Sequence, residues 1–480
     1  MTTAKHFDVL VIGGGPGGTP AALALAQAGK RVMLVEDGPG LGGTCLFKGC
    51  IPSKIFRETA ARRHEIARAD DFGLRLPAAD ALSVDWSAVQ SRRHRILSAR
   101  AQGALQRART LPSLDVEFGR ARLTSPRTAL IEMPDARRQI RFEQAILATG
   151  SVPNRLPIPG STLPGVLNSE QLIDIGFVPP SLTLIGGGPI GIEMAQIFAM
   201  LGSRVAVLEA AERILQPVDE VLAGRLQDRL KTNGITVRTD VEVTSIEGQG
   251  PQHCVHFNLG NETGHIESEV VVIVAGRHPN VAGLGLESTA VHYDRHGVKV
   301  DANLQTDEPG IYATGDLVGH PMFAHWATAQ ALAVAQHLLN RSAAYPRPET
   351  NSAAIFSYPE LGMAGVTEAA AHAAGLDVAV AEYDYQSDAR AQISGNADGL
   401  LRIVYRRDDR RIVGVHALME GAADLMGEAA LAIRAEVTLP QLAEVIHPHP
   451  TLTESFGLAA RAAFVDRTSK EPATRLVTQR

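Results

Sequence analysis

"FDVLVIGGGPGGTPAALALAQAGKRVMLVE", Phe7–Glu36, and "SLTLIGGGPIGIEMAQIFAMLGSRVAVLE", Ser181–Glu209, are two versions of one unit. Each reads as an apolar strand, a Gly-rich turn and a helix with small residues toward the turn. A glycine stop follows, then a second strand ending in Glu. Gly13 to Glu36 and Gly186 to Glu209 are both 23 positions. A lone G-x-G-x-x-G is weak. Two copies in full strand–turn–helix–strand context, with the acid at one offset, read as two dinucleotide-binding units.

The physical roles follow. Gly13 and Gly186 make the tight turn, Gly15 and Gly188 admit a pyrophosphate, and Gly18 and Gly191 let helix and strand approach. The pyrophosphate meets free N–H groups at a helix N-terminus. Glu36 and Glu209 accept from ribose hydroxyls. Glu209 would repel a 2′-phosphate, and Arg213 comes only later, so NAD is favoured over NADP.

A chain of 480 residues suggests about three domains. Its composition is 45% apolar and 20% charged, with net charge -6, which argues against a nucleic-acid binder. No apolar run approaches the ~20 residues of a membrane span. With a strand starting at Phe7, no presequence is expected, and the chain is expected in the cytosol, where structural disulfides are rare.

"ILATGS" (146–151), "VIVAGRHPN" (272–280) and "IYATGD" (311–316) are strands stopping at a glycine; Asp316 stands at such an end. The expected organisation has a first dinucleotide domain over 1–150 and an inserted second over 151–278. Residues 279–348 return to the first domain, and 349–480 form an α+β module containing "GLLRIVYRR", "RIVGVHAL" and an Ala-rich helix over 422–436.

"GGTCLFKGCIPSK", 42–54, holds two of only three cysteines, Cys45 and Cys50. Five positions apart in an ideal helix is roughly 8–9 Å, and a disulfide needs about 4.4–6.8 Å between Cα atoms. Closure demands a distortion that Gly49 permits. No neighbouring Cys/His pair completes a zinc set, so no metal site is expected. Cys254, in "HCVHFNL", reads as a buried strand residue.

"LGGTCLFKGCIPSK", the two units, "ATGS", "YATGD", "GHPMFAH" and the terminal "HPHPTLTE" together resemble the pyridine nucleotide–disulfide oxidoreductases, from Phe7 to about Arg461. The likeness is nearest to the dihydrolipoamide dehydrogenase branch. It implies a glutathione reductase-like α/β fold: two Rossmann-like domains, for FAD and NAD, plus a C-terminal dimerisation domain. It assigns FAD to Gly13, Gly15, Pro16, Gly17, Gly18, Glu36, Gly43, Thr44, Lys54, Ala121, Thr149, Gly150, Ser151, Asp316, Met322, Phe323, Ala324 and His325. It assigns NAD to Gly186, Gly188, Pro189, Ile190, Gly191, Glu193, Glu209, Val243 and Gly276. Cys45 becomes the interchange thiol and Cys50 the thiolate beside the flavin, with Lys54 paired to Glu193. His449 becomes the acid/base that reaches the partner subunit of a homodimer, oriented by Glu454, with His447 in support. Thr451-x-x-Glu454 also reads as a capping box. The implied reaction oxidises a lipoylated carrier's dithiol and reduces NAD.

The chain departs from the family at Phe47-Lys48, usually Asn-Val, at Trp326, usually Lys, and at Pro189. Lys48 reads either as a solvent-pointing cation or as one that favours thiolate at the cysteine pair. The Arg-rich stretches 57–68 and 92–100 read as solvated faces, with a carrier-docking role as the alternative. Rival readings are an NAD(P)H-dependent disulfide or metal-ion reductase, or a flavoprotein with a binding role only. Glu209 opposes NADP. The C-terminus lacks a metal-reductase cysteine pair.

Overall fold

The computed structural model describes residues 5–75, 82–248 and 251–465. Strand β1 (Lys5–Ile12) is buried from Val9 to Ile12, as a strand covered on both faces must be. Helix α1 (Thr19–Gln27) follows it, then β2 (Val32–Glu36) parallel to β1. The helices α2 (Gly43–Phe47), α3 (Cys50–Ala67) and α4 (Trp86–Arg109) precede β3 (Leu114–Phe118), which joins β2 in parallel. Strands β4 (Arg120–Ser125) and β5 (Thr128–Met133) then lead into β6 (Ala136–Leu147). The sheet order is β3-β2-β1-β6-β5-β4. The strand Ile311–Ala313 returns to pair with β6. The order reverses between β1 and β6, so the Gly-rich turn after β1 lies at the switch point where open α/β sheets bind ligands.

The second unit repeats this plan. After the short strands β7 (Ser151–Pro153) and β8 (Val166–Asn168) comes helix α5 (Ser169–Ile173). Strand β9 (Ser181–Ile185), helix α6 (Pro189–Leu201), β10 (Arg204–Leu208) and β11 (Thr236–Arg238) build a parallel sheet. The strands β12 (Val241–Gly248), β13 (His253–Leu259) and β14 (Glu262–Ser268) form a separate antiparallel sheet. Strand β15 (Val270–Ile273) completes the order β11-β10-β9-β15-β8. Helix α6 is buried nearly all round, from Gly191 to Phe198. Ile192, Ala195 and Phe198 share one core with Phe56 and Ala60 of α3, so the two units are packed on each other.

The C-terminal module is a five-stranded antiparallel sheet covered by the helices Ala422–Arg434 and Glu454–Val465. Its connection Phe356–Pro359 reaches both other units. Arg57 of α3 donates to the Phe356 carbonyl (2.9 Å) and to Glu360 (2.8 Å). Gln196 of α6 exchanges hydrogen bonds with Tyr358. The basic stretches are therefore not simply solvated faces. Arg63 donates to the Met200 carbonyl, Arg68 to Asn396 and Gly395, and the buried Arg93 to Asp174. Long guanidinium forks here satisfy carbonyls across unit boundaries, and their periodicity in the sequence could not reveal that. Cys254 also departs from expectation. It is half-buried on β13, while Val255 and Phe257 hold the inward positions.

Candidate active site

The two Gly-rich turns have the same geometry. Gly13 has φ +109° and Gly186 φ +123°; a Cβ there would meet the Ala148 oxygen at 2.2 Å and the Val274 oxygen at 2.6 Å. At Gly18 a Cβ would strike the Gly13 oxygen at 1.9 Å, and at Gly191 the Gly186 oxygen at 2.1 Å. At Gly15 the nearest atom is Gly43 Cα at 3.7 Å, and at Gly188 nothing lies within 4 Å. These two glycines face open space that a side chain would fill. That is the cradle a pyrophosphate needs.

Both acids are held the same way. Glu36 accepts from the Gly14 N–H (2.5 Å) and the Gly38 N–H (2.6 Å); Glu209 accepts from the Gly187 N–H (2.5 Å) and the Ala211 N–H (2.8 Å). Burial pushes the Glu36 carboxyl up, and the two N–H donors oppose that. Arg213 is committed elsewhere: its guanidinium donates to the carbonyls of Ile214, Leu215, Gln216 and Val218.

Around the first turn, Thr314 donates to the Gly17 carbonyl, Thr328 to Pro16, and Ser151 to Asp316 at 2.6 Å. Thr149 donates to the Asn280 carbonyl, and Gly150 has φ +69°. Ala121 turns its methyl into the core with Leu123 and Ile131, while Gly119 N–H bonds the Glu36 carbonyl. Met322 and Phe323 precede the helix Ala324–Leu338; the Phe323 ring stacks on His325, whose Nε2 contacts the Ser352 carbonyl. Trp326 is buried in that helix. Around the second turn, Pro189 opens α6, where a missing N–H costs nothing, and Ile190 packs on the adjoining core. Val243 lies at a β-bulge, and Gly276 has φ +87° beside Asn154.

The cysteine helix is built onto the first cradle. The Gly42 N–H donates to the Gly14 carbonyl at 2.8 Å, and a Cβ on Gly43 would lie 2.8 Å from Gly15 Cα. Cys45 sits in α2, half-buried. The helix breaks at Lys48-Gly49, and Cys50 starts α3, exposed. Both thiols are free. The neighbouring Cys45 thiol, then Lys54, holds Cys50 below the ordinary thiol range against burial. The neighbouring Cys50, with burial, pushes Cys45 up. A helix N-terminus also favours a thiolate.

Lys54 lies in the first turns of α3. Its Nζ donates to Glu193 of α6 at 2.7 Å and stands 4.3 Å from the Phe356 ring centre. The second Glu193 oxygen accepts from the Phe356 N–H at 2.9 Å. All three units thus fix one cation near the dithiol. The Lys48 side chain is 54% exposed. It pairs with Glu170 at 3.1 Å, and Glu170 also accepts from Arg277, which in turn holds Ser151. Glu170, Arg277 and Phe356 join the site from outside the expected residues. Only Arg277 carried a signal, following the glycine of "VIVAGRHPN".

At the C-terminal end, His449 Nδ1 lies 3.1 and 3.2 Å from the two Glu454 oxygens. The contact assigns the proton to Nδ1 and leaves Nε2 as the acceptor. Glu454 also accepts from the Thr451 N–H at 2.9 Å; that bond, then His449, holds its carboxyl below the usual range. The capping box is half-formed, because the Thr451 hydroxyl donates to the Pro448 carbonyl instead. His447 contacts Glu428 at 2.9 Å. The His449 side chain is 73% exposed, and among the described residues no hydrogen bond joins it to either active-site cysteine.

Residues 7–331 match the family described as pyridine nucleotide-disulphide oxidoreductase, and residues 351–460 match that family's dimerisation domain. The chain belongs to this family. Among oxidoreductases of known name, the dihydrolipoyl dehydrogenase of Bacillus subtilis is 34% identical over 94% of this chain and 97% of its own length. That of Chlamydia muridarum is 34% identical over 98% and 99%. The solved Cu(II) complex of the HOCl-induced flavoprotein disulfide reductase RclA from Escherichia coli superposes with TM-score 0.86 at 26% identity, over 95% of this chain and 99% of its own. For a pyridine nucleotide-disulphide oxidoreductase, the two cradles and the Cys45–Cys50 pair are the matching equipment. No helix among the described residues is long and apolar enough to cross a membrane.

Proposed function

We propose that this chain is a dihydrolipoamide dehydrogenase-like flavoprotein. It oxidises the dithiol of a lipoylated carrier and reduces NAD. One observation carries the reading: a cysteine pair at a helix N-terminus, built onto a pyrophosphate cradle and served by one inter-unit lysine. The open faces of Gly15 and Gly188 and the paired acids Glu36 and Glu209 suit FAD in the first unit and NAD in the second. FAD would be held by Gly13–Gly18, Glu36, Gly43, Thr44, Lys54, Ala121, Thr149–Ser151, Asp316 and 322–325. NAD would be held by Gly186–Glu193, Glu209, Val243 and Gly276.

With Cys45 and Cys50 joined as a disulfide, a substrate thiolate attacks Cys45 Sγ. The S–S bond breaks, and Cys50 leaves as a thiolate stabilised by Lys54 and the α3 N-terminus. The second substrate thiolate then displaces Cys45, which yields the oxidised carrier and the reduced pair. Nε2 of His449 holds the proton taken from the attacking thiol, and Glu454 stabilises the charge on the ring. Bound FAD would carry the electron pair from the thiols to the nicotinamide.

The exposed His449, with Ile446 95% and Leu431 69% exposed nearby, suits a homodimer in which the histidine of one chain serves its partner's dithiol. Sparse cysteine usage suits a cytosolic protein. NAD reduction by dihydrolipoamide, abolished in Cys45→Ser, tests the reading. A wild type inert toward dihydrolipoamide but active with NADH and another disulfide or Cu(II) would favour the reductase reading, which the likeness to RclA supports.

A further inference from the structure

The sheet β12–β14 has two unlike faces. Val241, Ile246, Val255, Phe257 and Ile266 turn inward onto the second parallel sheet. Side chains alternate along a strand, so their neighbours point outward. Strand pairing sets Cys254 opposite Glu267 on one side and Glu247 on the other, and His256 opposite His265. A thiol, two imidazoles and two carboxylates therefore share the outward face. Cys254 Sγ, a ring nitrogen of His265 and a carboxylate oxygen of Glu267 all lie within 4.8 Å of one another. The His256 ring stands 6.2 Å from that of His265, and its Nε2 lies 3.6 Å from a Glu247 carboxylate oxygen.

We propose that Cys254, His265 and Glu267, with His256 at their edge, form a binding site for a zinc-class divalent transition-metal ion, separate from the Cys45–Cys50 centre. Zinc takes sulfur, imidazole nitrogen and carboxylate oxygen at roughly 2.0–2.3 Å, which places tetrahedral ligand atoms about 3.5 Å apart. Rotation of exposed side chains on a fixed hairpin closes the remaining gap. Three ligands on adjacent strands with correct register are already organised by the backbone. The donor set does not suit Ca²⁺ or Mg²⁺, which take oxygen ligands. Binding forms the metal–sulfur bond and releases the thiol proton to water. The ion would tie β13 to β14.

The test uses the full-length, flavin-loaded enzyme, stripped of metal, with Cys45–Cys50 kept as the disulfide. Zn²⁺ is titrated against a chromogenic chelator, and Co²⁺ serves as a spectroscopic probe. One ion per chain is expected, with a thiolate-to-cobalt absorption band. Cys254→Ser should abolish the band, and His265→Ala and Glu267→Gln should each weaken Zn²⁺ binding by roughly tenfold or more. Flavin content and flavin reduction by NADH report that each variant is folded; Glu267 is exposed, so its variant tests the site even where Cys254→Ser folds poorly. A wild type that binds no ion, variants with wild-type affinity, or a cobalt band that survives Cys254→Ser overturns the proposal.

Discussion

Glu209→Gln tests how the second cradle selects its nucleotide. The wild-type carboxylate cannot swing away from a ligand, because the Gly187 and Ala211 N–H groups hold both oxygens. The only cation in the following stretch, Arg213, is spent on four loop carbonyls. A 2′-phosphate would thus meet a fixed negative charge that Arg213 is not free to offset. Taking the phosphate at about -2 and a separation of about 5 Å, a water-like dielectric gives a repulsion of ~1.7 kcal/mol. That is roughly a 17-fold penalty, and a lower local dielectric enlarges it. Wild-type kcat/KM should therefore favour NADH over NADPH by at least about tenfold, and Glu209→Gln should lower that ratio by roughly tenfold. The glutamine still offers an oxygen to one N–H, so the turn keeps its shape. Flavin reduction by each nucleotide, followed by stopped flow, isolates this step from dithiol chemistry. A wild-type ratio near unity, or a ratio unmoved by Glu209→Gln, refutes the reasoning.

His449→Gln should cut dithiol turnover by about 10²–10⁴-fold while flavin reduction by NADH stays near wild type; stopped-flow traces that collapse along with turnover contradict the assignment. Because Cys50 is held below the ordinary thiol range, its thiolate persists as the pH falls and is lost only below that range. Lys54→Met should move that loss to higher pH, whereas Lys48→Val, which removes a cation paired to Glu170, should leave it in place. Titrating the long-wavelength flavin–thiolate band in the reduced enzyme reads both. Gly18→Ala should destabilise the fold by about 1–3 kcal/mol, since its Cβ would sit on a carbonyl, and thermal unfolding measures this. Gly15→Ala should leave unfolding nearly unchanged but weaken flavin retention on dilution.

Local chemistry was enough to read both cradles. A turn that needs φ > 0, a helix that must approach a carbonyl and an acid that must cap the turn each restrict a position to one or two residue types. The sequence by itself therefore determined the two-unit α/β architecture and the glycines and glutamates that shape the cradles. It also pointed to the cysteine pair, because Gly49 marks the break between α2 and α3. Partner choice among long side chains was different. Lys48 and Lys54 are both lysines near the cysteines, yet one pairs with Glu170 and the other with Glu193, 139 positions away. The arginines of α3 and α4 looked like solvated charge until the C-terminal connection and α5 were packed against them. Cys254 looked buried until strand register placed it outward among His256, His265 and Glu267. A flexible charged side chain reaches several neighbours, and a one-residue change of register reverses a strand's faces. Only the tertiary structure settles both, because packing of distant segments decides which groups are near and which way they point.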